Sequence, residues 1–361
     1  MKTRNNLTTL LLFFLSSSVF AKDVTESFFV TEKNHKLIDL LKNRPEFTID
    51  HISENGFELY RPKNTELFLQ KNQINYQKGH VTLSLVKSQY PTPEEIEQSL
   101  RSITSKYPNL ATLYSIGKSA KKRDLWVIKL TSNKKPSDQK PKFKYIANMH
   151  GDEIVGRELM VLLIKDLASG YNNEQRITQL LDSTEIHIMP SMNPDGAQLG
   201  RRGNGNNIDL NRDFPDFTTS DNKDELNNRQ PETKAVMNWQ KQYNFKLSAN
   251  FHGGAEVVNY PWDTSPNPIP QQDLVKDISL EYATNAPYMG ASTVFNNGIT
   301  NGFEWYEVNG GMQDWSIYWR KDLQVTIELS DEKWPDYSRI NYFYEQNKNA
   351  LISYIERIHT F

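Results

Sequence analysis

Residues 149–153 read Met-His-Gly-Asp-Glu. His150 and Glu153, three residues apart, can turn an imidazole nitrogen and a carboxylate oxygen toward one point. Zinc accepts both donor types, and a catalytic zinc takes three protein ligands and keeps a fourth position for water. The His-x-x-Glu spacing alone is a weak signal, because such pairs recur without a metal. A third donor stands in Asn250-Phe251-His252-Gly253-Gly254, where His252 follows a strand-like segment and two glycines allow close backbone approach. The competing reading for His252 is a buried, hydrogen-bonded histidine. That structural reading is adopted for His187, inside a strand, and for His35, His51 and His80, which are scattered without ligand spacing.

The elements that must position these residues alternate. Strands are expected over 125–130, 144–148, 185–190, 246–250 and 325–329, and helices over 154–167, 233–242 and 344–358. Thr92 can cap a helix opening at Pro93, with Glu94 and Glu95 in its first turn. Alternating strands and helices predict an α/β fold: a mixed, mostly parallel twisted sheet flanked by helices. Sites in such sheets lie where loops leave the carboxyl ends of strands. His150 and His252 both follow expected strands. Residues 200–207 and 216–230 read as surface loops.

The chain divides in three. Residues 1–21 read as a leader: Lys2 and Arg4 precede a short, largely apolar run that ends in Val19-Phe20-Ala21. Its apolar run is too short for a bilayer span. Residues 22–88 form a small α+β unit, with a helix over 36–42, strands over 47–52 and 56–60 joined at Glu54-Asn55-Gly56, and a helix over 66–70. Residues 89–361 carry the chemistry. A net charge of −2 without a basic stripe argues against a nucleic-acid partner. The chain has no cysteine, hence no disulfide and no lipid attachment site. It is expected to be exported, to a periplasm or the outside medium, with no membrane insertion once the leader is removed. The oligomeric state stays open.

Further motifs follow in order: Asn193-Pro194-Asp195-Gly196, Asp209-Leu210-Asn211-Arg212-Asp213-Phe214-Pro215, Phe251-His252-Gly253-Gly254, Gly310-Gly311-Met312-Gln313-Asp314 and Thr326-Ile327-Glu328-Leu329. With His150-Gly151-Asp152-Glu153 they resemble the zinc carboxypeptidases of the A/B type, most closely the branch with carboxypeptidases E, N, M and D. The resemblance runs from about residue 90 to 361. It implies one zinc per chain on His150, Glu153 and His252, and peptide or protein C-termini as substrates. It places the general base at Glu328 and the oxyanion-stabilising arginine at Arg202, next to Arg201. It assigns the substrate carboxylate to Arg212, Asn211 and Tyr306, and the orientation of a zinc histidine to Asp209. Asp263, in Tyr260-Pro261-Trp262-Asp263, and Gln313 match the side-chain pocket of members that remove lysine or arginine.

The chain departs from that branch in places. Only 33 residues follow Glu328, room for a loop and a closing helix rather than the branch's transthyretin-like β-sandwich. Residues 22–88 match nothing in it, and read as a pro-segment over the site or a permanent accessory domain. Lys121-Lys122-Arg123 lies inside the catalytic unit and is a poor processing site. Asp152 stands where the branch carries asparagine, a change that bears on the outer subsites. Two rival functions remain in view: a carboxypeptidase acting on cell-wall muropeptides, and an inactive zinc-binding homologue. Retention of His150, Glu153, His252, Glu328, Arg202 and Arg212 speaks against the second.

Overall fold

The structure, a computed structural model, describes residues 26–31, 37, 38, 41, 44, 47–53, 55–61, 65–78 and 89–360. The expected leader, His35 and His80 lie outside them, as does most of the expected helix over 36–42, of which 37, 38 and 41 are helical. The N-terminal unit is a four-stranded antiparallel sheet of β1 (Glu26–Val30), β2 (Thr48–Ser53), β3 (Gly56–Arg61) and β4 (Tyr76–Lys78), in the order β2-β3-β1-β4. A helix over Thr65–Lys71 packs on it through Leu69. Phe28, Val30, Phe47, Ile49, Phe57 and Leu59 supply its apolar face, alternating with outward residues as a pleated strand requires.

The larger unit is built on eight strands: β5 (Ala111–Lys118), β6 (Asp124–Leu130), β7 (Lys142–Ala147), β8 (Glu185–Met189), β9 (Phe245–His252), β10 (Ala255–Tyr260), β11 (Ile299–Asn301) and β12 (Leu323–Ser330). Their order is β11-β10-β12-β9-β7-β8-β6-β5. The four central strands, β12, β9, β7 and β8, run parallel, while β10 joins β12, β6 joins β8 and β5 joins β6 antiparallel. This is the mixed, mostly parallel sheet expected. Helices cover both faces, so the central strands are buried but for Lys142 and Lys246 near their starts. Alternation along β7 shows the two layers. Phe143, Tyr145 and Ala147 join the cluster under helices Val155–Gly170, Gln272–Asn285 and Ile340–Glu356. Ile146 joins the cluster under helices Pro231–Gln242 and Met312–Arg320.

Most expected elements appear with shifted ends. The strand expected to run through Asn148 stops at Ala147, because Asn148 turns left-handed (φ 56). The strand expected to stop at Asn250 continues to His252, so that histidine closes a strand instead of following one. The helix at Pro93 has Thr92 as its cap, bonded reciprocally with Glu95. The closing helix begins at Ile340, earlier than expected.

The parallel centre also holds a buried ion pair. Lys144 Nζ donates to Asp322 Oδ2 at 2.6 Å and to Gln324 Oε1 at 2.8 Å, and Ser248 Oγ donates to Asp322 Oδ2 at 3.0 Å. Burial pushes the Lys144 ammonium below its usual range, against the pull of Asp322. Removing one partner strands the other charge inside the sheet. Asp322→Ala is therefore expected to lower unfolding free energy by about 3–5 kcal/mol in denaturant titration. The double variant Lys144→Met, Asp322→Leu should recover most of that loss.

Candidate active site

The carboxyl ends of β7, β9 and β12 lie side by side, and each delivers one part of the site. The turn after β7 carries His150 and Glu153. It is clamped by Asn148, whose Nδ2 donates to the His150 carbonyl at 2.8 Å and the Glu153 carbonyl at 3.2 Å. The left-handed turn at Asn148 is what aims its amide back into this loop. A second loop presses from the side. Gly151 N donates to the Arg202 carbonyl at 3.2 Å, and a Cβ on Gly151 would lie 2.1 Å from the backbone of Gly196. His252 ends β9, and Glu328 pairs with it in the register of β12.

His150 Nδ1, Glu153 Oε2 and His252 Nδ1 form a compact triangle. Glu153 Oε2 is 3.0 Å from His150 Nδ1 and 2.8 Å from His252 Nδ1, and the two nitrogens are 3.0 Å apart. All three residues are buried. Ligand atoms around a tetrahedral zinc stand about 3.3 Å apart, given bonds near 2.0–2.1 Å. Two imidazole nitrogens and a carboxylate oxygen brought this close fit such an ion by donor type and by spacing. His150 Nε2 lies 3.0 Å from Asp209 Oδ1, the arrangement by which a carboxylate fixes a ligand histidine's ring and tautomer. Asp209 Oδ2 in turn accepts from Arg202 Nε at 2.9 Å. Although burial raises it, the Arg202 charge and His150 hold the Asp209 carboxyl well below the usual carboxylate range.

Most of the other expected residues line one narrow, nearly filled cleft, among them His150, Arg202, Asn211, Arg212, His252, Asp263, Tyr306 and Glu328. Of the arginine doublet, Arg202 is buried in the cleft and Arg201 faces solvent. Asn211 is fixed at both ends: its N–H donates to Asp209 Oδ1 at 2.8 Å, and its side-chain oxygen accepts from Met312 N at 3.0 Å. Arg212 Nη1 donates to the Asn211 carbonyl at 3.0 Å. Asp263 Oδ1 accepts from Asn259 Nδ2 at 3.0 Å and Gln313 Nε2 at 2.9 Å. Asp314 holds the backbone N–H groups of Asp263 and Thr264 at 2.9 and 2.8 Å. Burial pushes Asp263 up to about 7, against the Asn259 amide, the Arg212 charge and the Gln313 amide. Gly302 completes this pocket, since a Cβ there would stand 1.8 Å from Asp263 Oδ1. His187 is buried between Tyr114 and Glu185, away from the triangle, as a structural histidine.

Sequence reasoning missed the residues that reach in from the N-terminal unit. Asp50, on β2, accepts from Tyr306 OH through Oδ1 at 2.6 Å and from Arg202 Nη1 through Oδ2. Tyr60, on β3, lays its ring under Arg202 at 4.9 Å, and Glu58 accepts from Lys333 Nζ at 2.6 Å. Nothing in the local sequence around Asp50 marks it, because its meaning lies in its distance from Arg202 and Tyr306. Lys333, in the loop after β12, was likewise unmarked.

A buried metal triangle at the carboxyl edge of a parallel sheet, facing two arginines, defines a metallohydrolase site. Residues 96–350 match the zinc carboxypeptidase family, and the chain belongs to that family. It is 42% identical over 297 residues to mouse (Mus musculus) carboxypeptidase M, covering 75% of this chain and 66% of the relative. It is 39% identical over 272 residues to the carboxypeptidase SOL1 of Arabidopsis thaliana, covering 74% of this chain and 55% of that one. It is 42% identical to duck (Anas platyrhynchos) carboxypeptidase D, covering 73% of this chain but 21% of the relative. The chain thus spans between a fifth and two thirds of these proteins. Among solved structures, a thrombin-activatable fibrinolysis inhibitor superposes with a TM-score of 0.72 at 16% identity, covering 94% of this chain and 99% of that one. The carboxypeptidase A of Helicoverpa armigera gives 0.73 at 16% identity, covering 94% and 98%. Both shares exceed the larger unit, so the likeness of fold extends into the N-terminal sheet.

The family's cofactor is one zinc ion, and His150, Glu153 and His252 form a candidate site for it. If Asp209 sets the His150 ring, Asp209→Asn should weaken zinc binding about 10–100-fold, read by competition with a chromophoric chelator. An unchanged affinity would remove Asp209 from the site.

Proposed function

We propose that the protein is an exported carboxypeptidase that removes C-terminal lysine or arginine from peptides. The observation that carries this reading is the meeting, in one buried cleft, of the metal triangle, Glu328, two arginines and the carboxylate Asp263. A bound zinc supplies Lewis-acid polarisation of the scissile carbonyl and acidifies a water. Glu328 takes the water's proton and returns it to the leaving amine. The Arg202 guanidinium faces the oxygen where negative charge develops. Arg212 and Asn211 take the free α-carboxylate, which suits a planar cationic fork. Tyr306 assists as a neutral donor: burial and the charges of Asp50 and Glu328 hold its phenol well above its usual range.

The side-chain pocket is rich in acceptors. Beside Asp263, the side-chain oxygens of Asn259 and Gln313 are buried without hydrogen-bond partners among the described residues. A lysine or arginine side chain brings a cation for Asp263 and only donors for these oxygens, whereas an apolar side chain leaves the carboxylate without a cation and the two amide oxygens unpaired. Asp263→Asn should therefore lower kcat/KM for C-terminal arginine by about two orders of magnitude and leave C-terminal leucine nearly unchanged. The Arg-to-Leu ratio of kcat/KM should climb as pH rises through about 7, since only the ionised Asp263 attracts the cation. Matched peptides assayed between mildly acid and mildly alkaline pH test this, with Glu328→Gln as the inactive control. A preference for leucine would sink the pocket assignment and leave the hydrolytic mechanism standing.

The N-terminal unit fits the role of a cap better than that of a distant accessory. Asp50 holds Tyr306 and Arg202 through one carboxylate, as a bound substrate's own polar groups would. Asp50→Ala in the full chain should raise peptide turnover at least about tenfold, because a buried charged hydrogen bond is lost from the capped state alone. Equal rates for the two forms would make the unit a bystander. Removal of residues 1–21 during export is part of the same proposal.

A further inference from the structure

Lys333 belongs to no role assigned above, yet five acidic or phenolic groups converge on it. Its Nζ is 2.6 Å from Glu58 Oε2, 3.0 Å from Tyr60 OH, 3.6 Å from Glu153 Oε1, 3.9 Å from Asp152 Oδ2 and 4.0 Å from Asp50 Oδ2. Its backbone is fixed, since the Lys333 carbonyl accepts from Ile154 N at 3.0 Å. Although burial lowers it, the charges of Glu58, Tyr60 and Asp152 hold its ammonium well above the usual range.

Its position relative to the metal triangle gives the cation a direction. Glu153 Oε2 faces the two histidines, while Oε1 is shared by Arg202, at 3.5 Å, and Lys333, at 3.6 Å. The contacts form a chain: the Arg212 charge bears on both Asp263 and Tyr306, Asp50 joins Tyr306 to Arg202, and Glu153 Oε1 joins Arg202 to Lys333, just outside the residues that line the cleft. The departing residue occupies the Asp263 and Arg212 end, and the scissile carbonyl lies at the metal and Arg202. The next group upstream, the side chain of the penultimate residue, comes to Lys333. The capping unit follows the same order: Asp50 fills the space between Tyr306 and Arg202, and Glu58 presents a carboxylate to Lys333.

We propose that Lys333 is a specificity-determining residue that selects an acidic side chain at the penultimate position of the substrate, and that Glu58 of the N-terminal unit imitates that side chain. The inference rests on the carboxypeptidase reading above. Once Glu58 withdraws, an aspartate or glutamate of the peptide restores the pairing, whereas a penultimate lysine meets a like charge.

The test is a competition assay on the zinc-loaded full chain. Three peptides ending in arginine, with glutamate, alanine or lysine before it, are mixed, and their products are followed by mass spectrometry. Ratios of kcat/KM measured in one tube do not depend on the fraction of enzyme that is uncapped. The wild type is expected to favour glutamate over lysine by about tenfold, the scale of one partly buried charge pair set against its like-charge counterpart. Lys333→Met should bring that ratio to within about twofold of unity, and Lys333→Arg should restore it, as charge rather than shape is read. A ratio untouched by Lys333→Met, or a loss of turnover equal for all three peptides, would overturn the inference and leave the carboxypeptidase reading intact. No turnover of any peptide by either the wild type or the uncapped Asp50→Ala variant would overturn the carboxypeptidase reading itself, and this inference with it.

Discussion

Three parallel neighbours, β7, β9 and β12, end at one edge of the sheet, and the site depends on that shared edge. Parallel pairing fixes their registers through evenly spaced hydrogen bonds, so the distance between their last residues is set by backbone, not by side-chain choice. His252 and Glu328 are register partners on adjacent strands. The turn after β7 then needs to travel only a few residues to bring His150 and Glu153 against them. Buried helices on both faces hold the strands in this relation, and the Lys144–Asp322 pair joins β7 to the start of β12 in the same layer.

Charge is arranged around the edge in alternation. The metal ligands meet Asp209 on one side, Asp209 meets Arg202, and Arg202 meets Asp50. Each buried carboxylate thus has a cation or a metal ligand as its neighbour, which offsets the cost of taking it out of water. Asp263 is the exception in kind: its near neighbours are amides and Asp314, and burial keeps its proton affinity high. A carboxylate left in that condition gains most from a cation that arrives with the substrate.

The residues legible in the sequence were those carried by contiguous motifs. His150 and Glu153, and Asp209 to Arg212, sit within a few residues of each other, and the family resemblance that these motifs carry is what implies their roles. The alternation of strands and helices similarly announced the layered fold. Less was visible where meaning comes from tertiary contact. Strand β9 was cut short because Phe251 and His252 lie beside glycines that suggest a loop, yet the register with β12 carries the strand to His252. Strands β5, β10 and β11 and the helices at Gln272–Asn285 and Met312–Arg320 were not read at all, the edge strands being only partly apolar. Asp50, Glu58 and Lys333 are ordinary surface-type residues by sequence; only the approach of two units gives them partners.

Among the described residues the two units keep separate interiors. One apolar cluster lies wholly within residues 28–69, and the two others lie wholly within residues 90–358. The contacts between the units that involve the cleft are ionic, hydrogen-bonded and aromatic: Asp50 with Arg202 and with Tyr306, Glu58 with Lys333, Tyr60 beneath Arg202, and the Trp305 indole N–H donating to the Ile52 carbonyl at 3.4 Å. Among the described residues, parting such a seam exposes groups that water solvates well. On opening, the paired charges of that seam would return to water, where the salt around them screens their attraction.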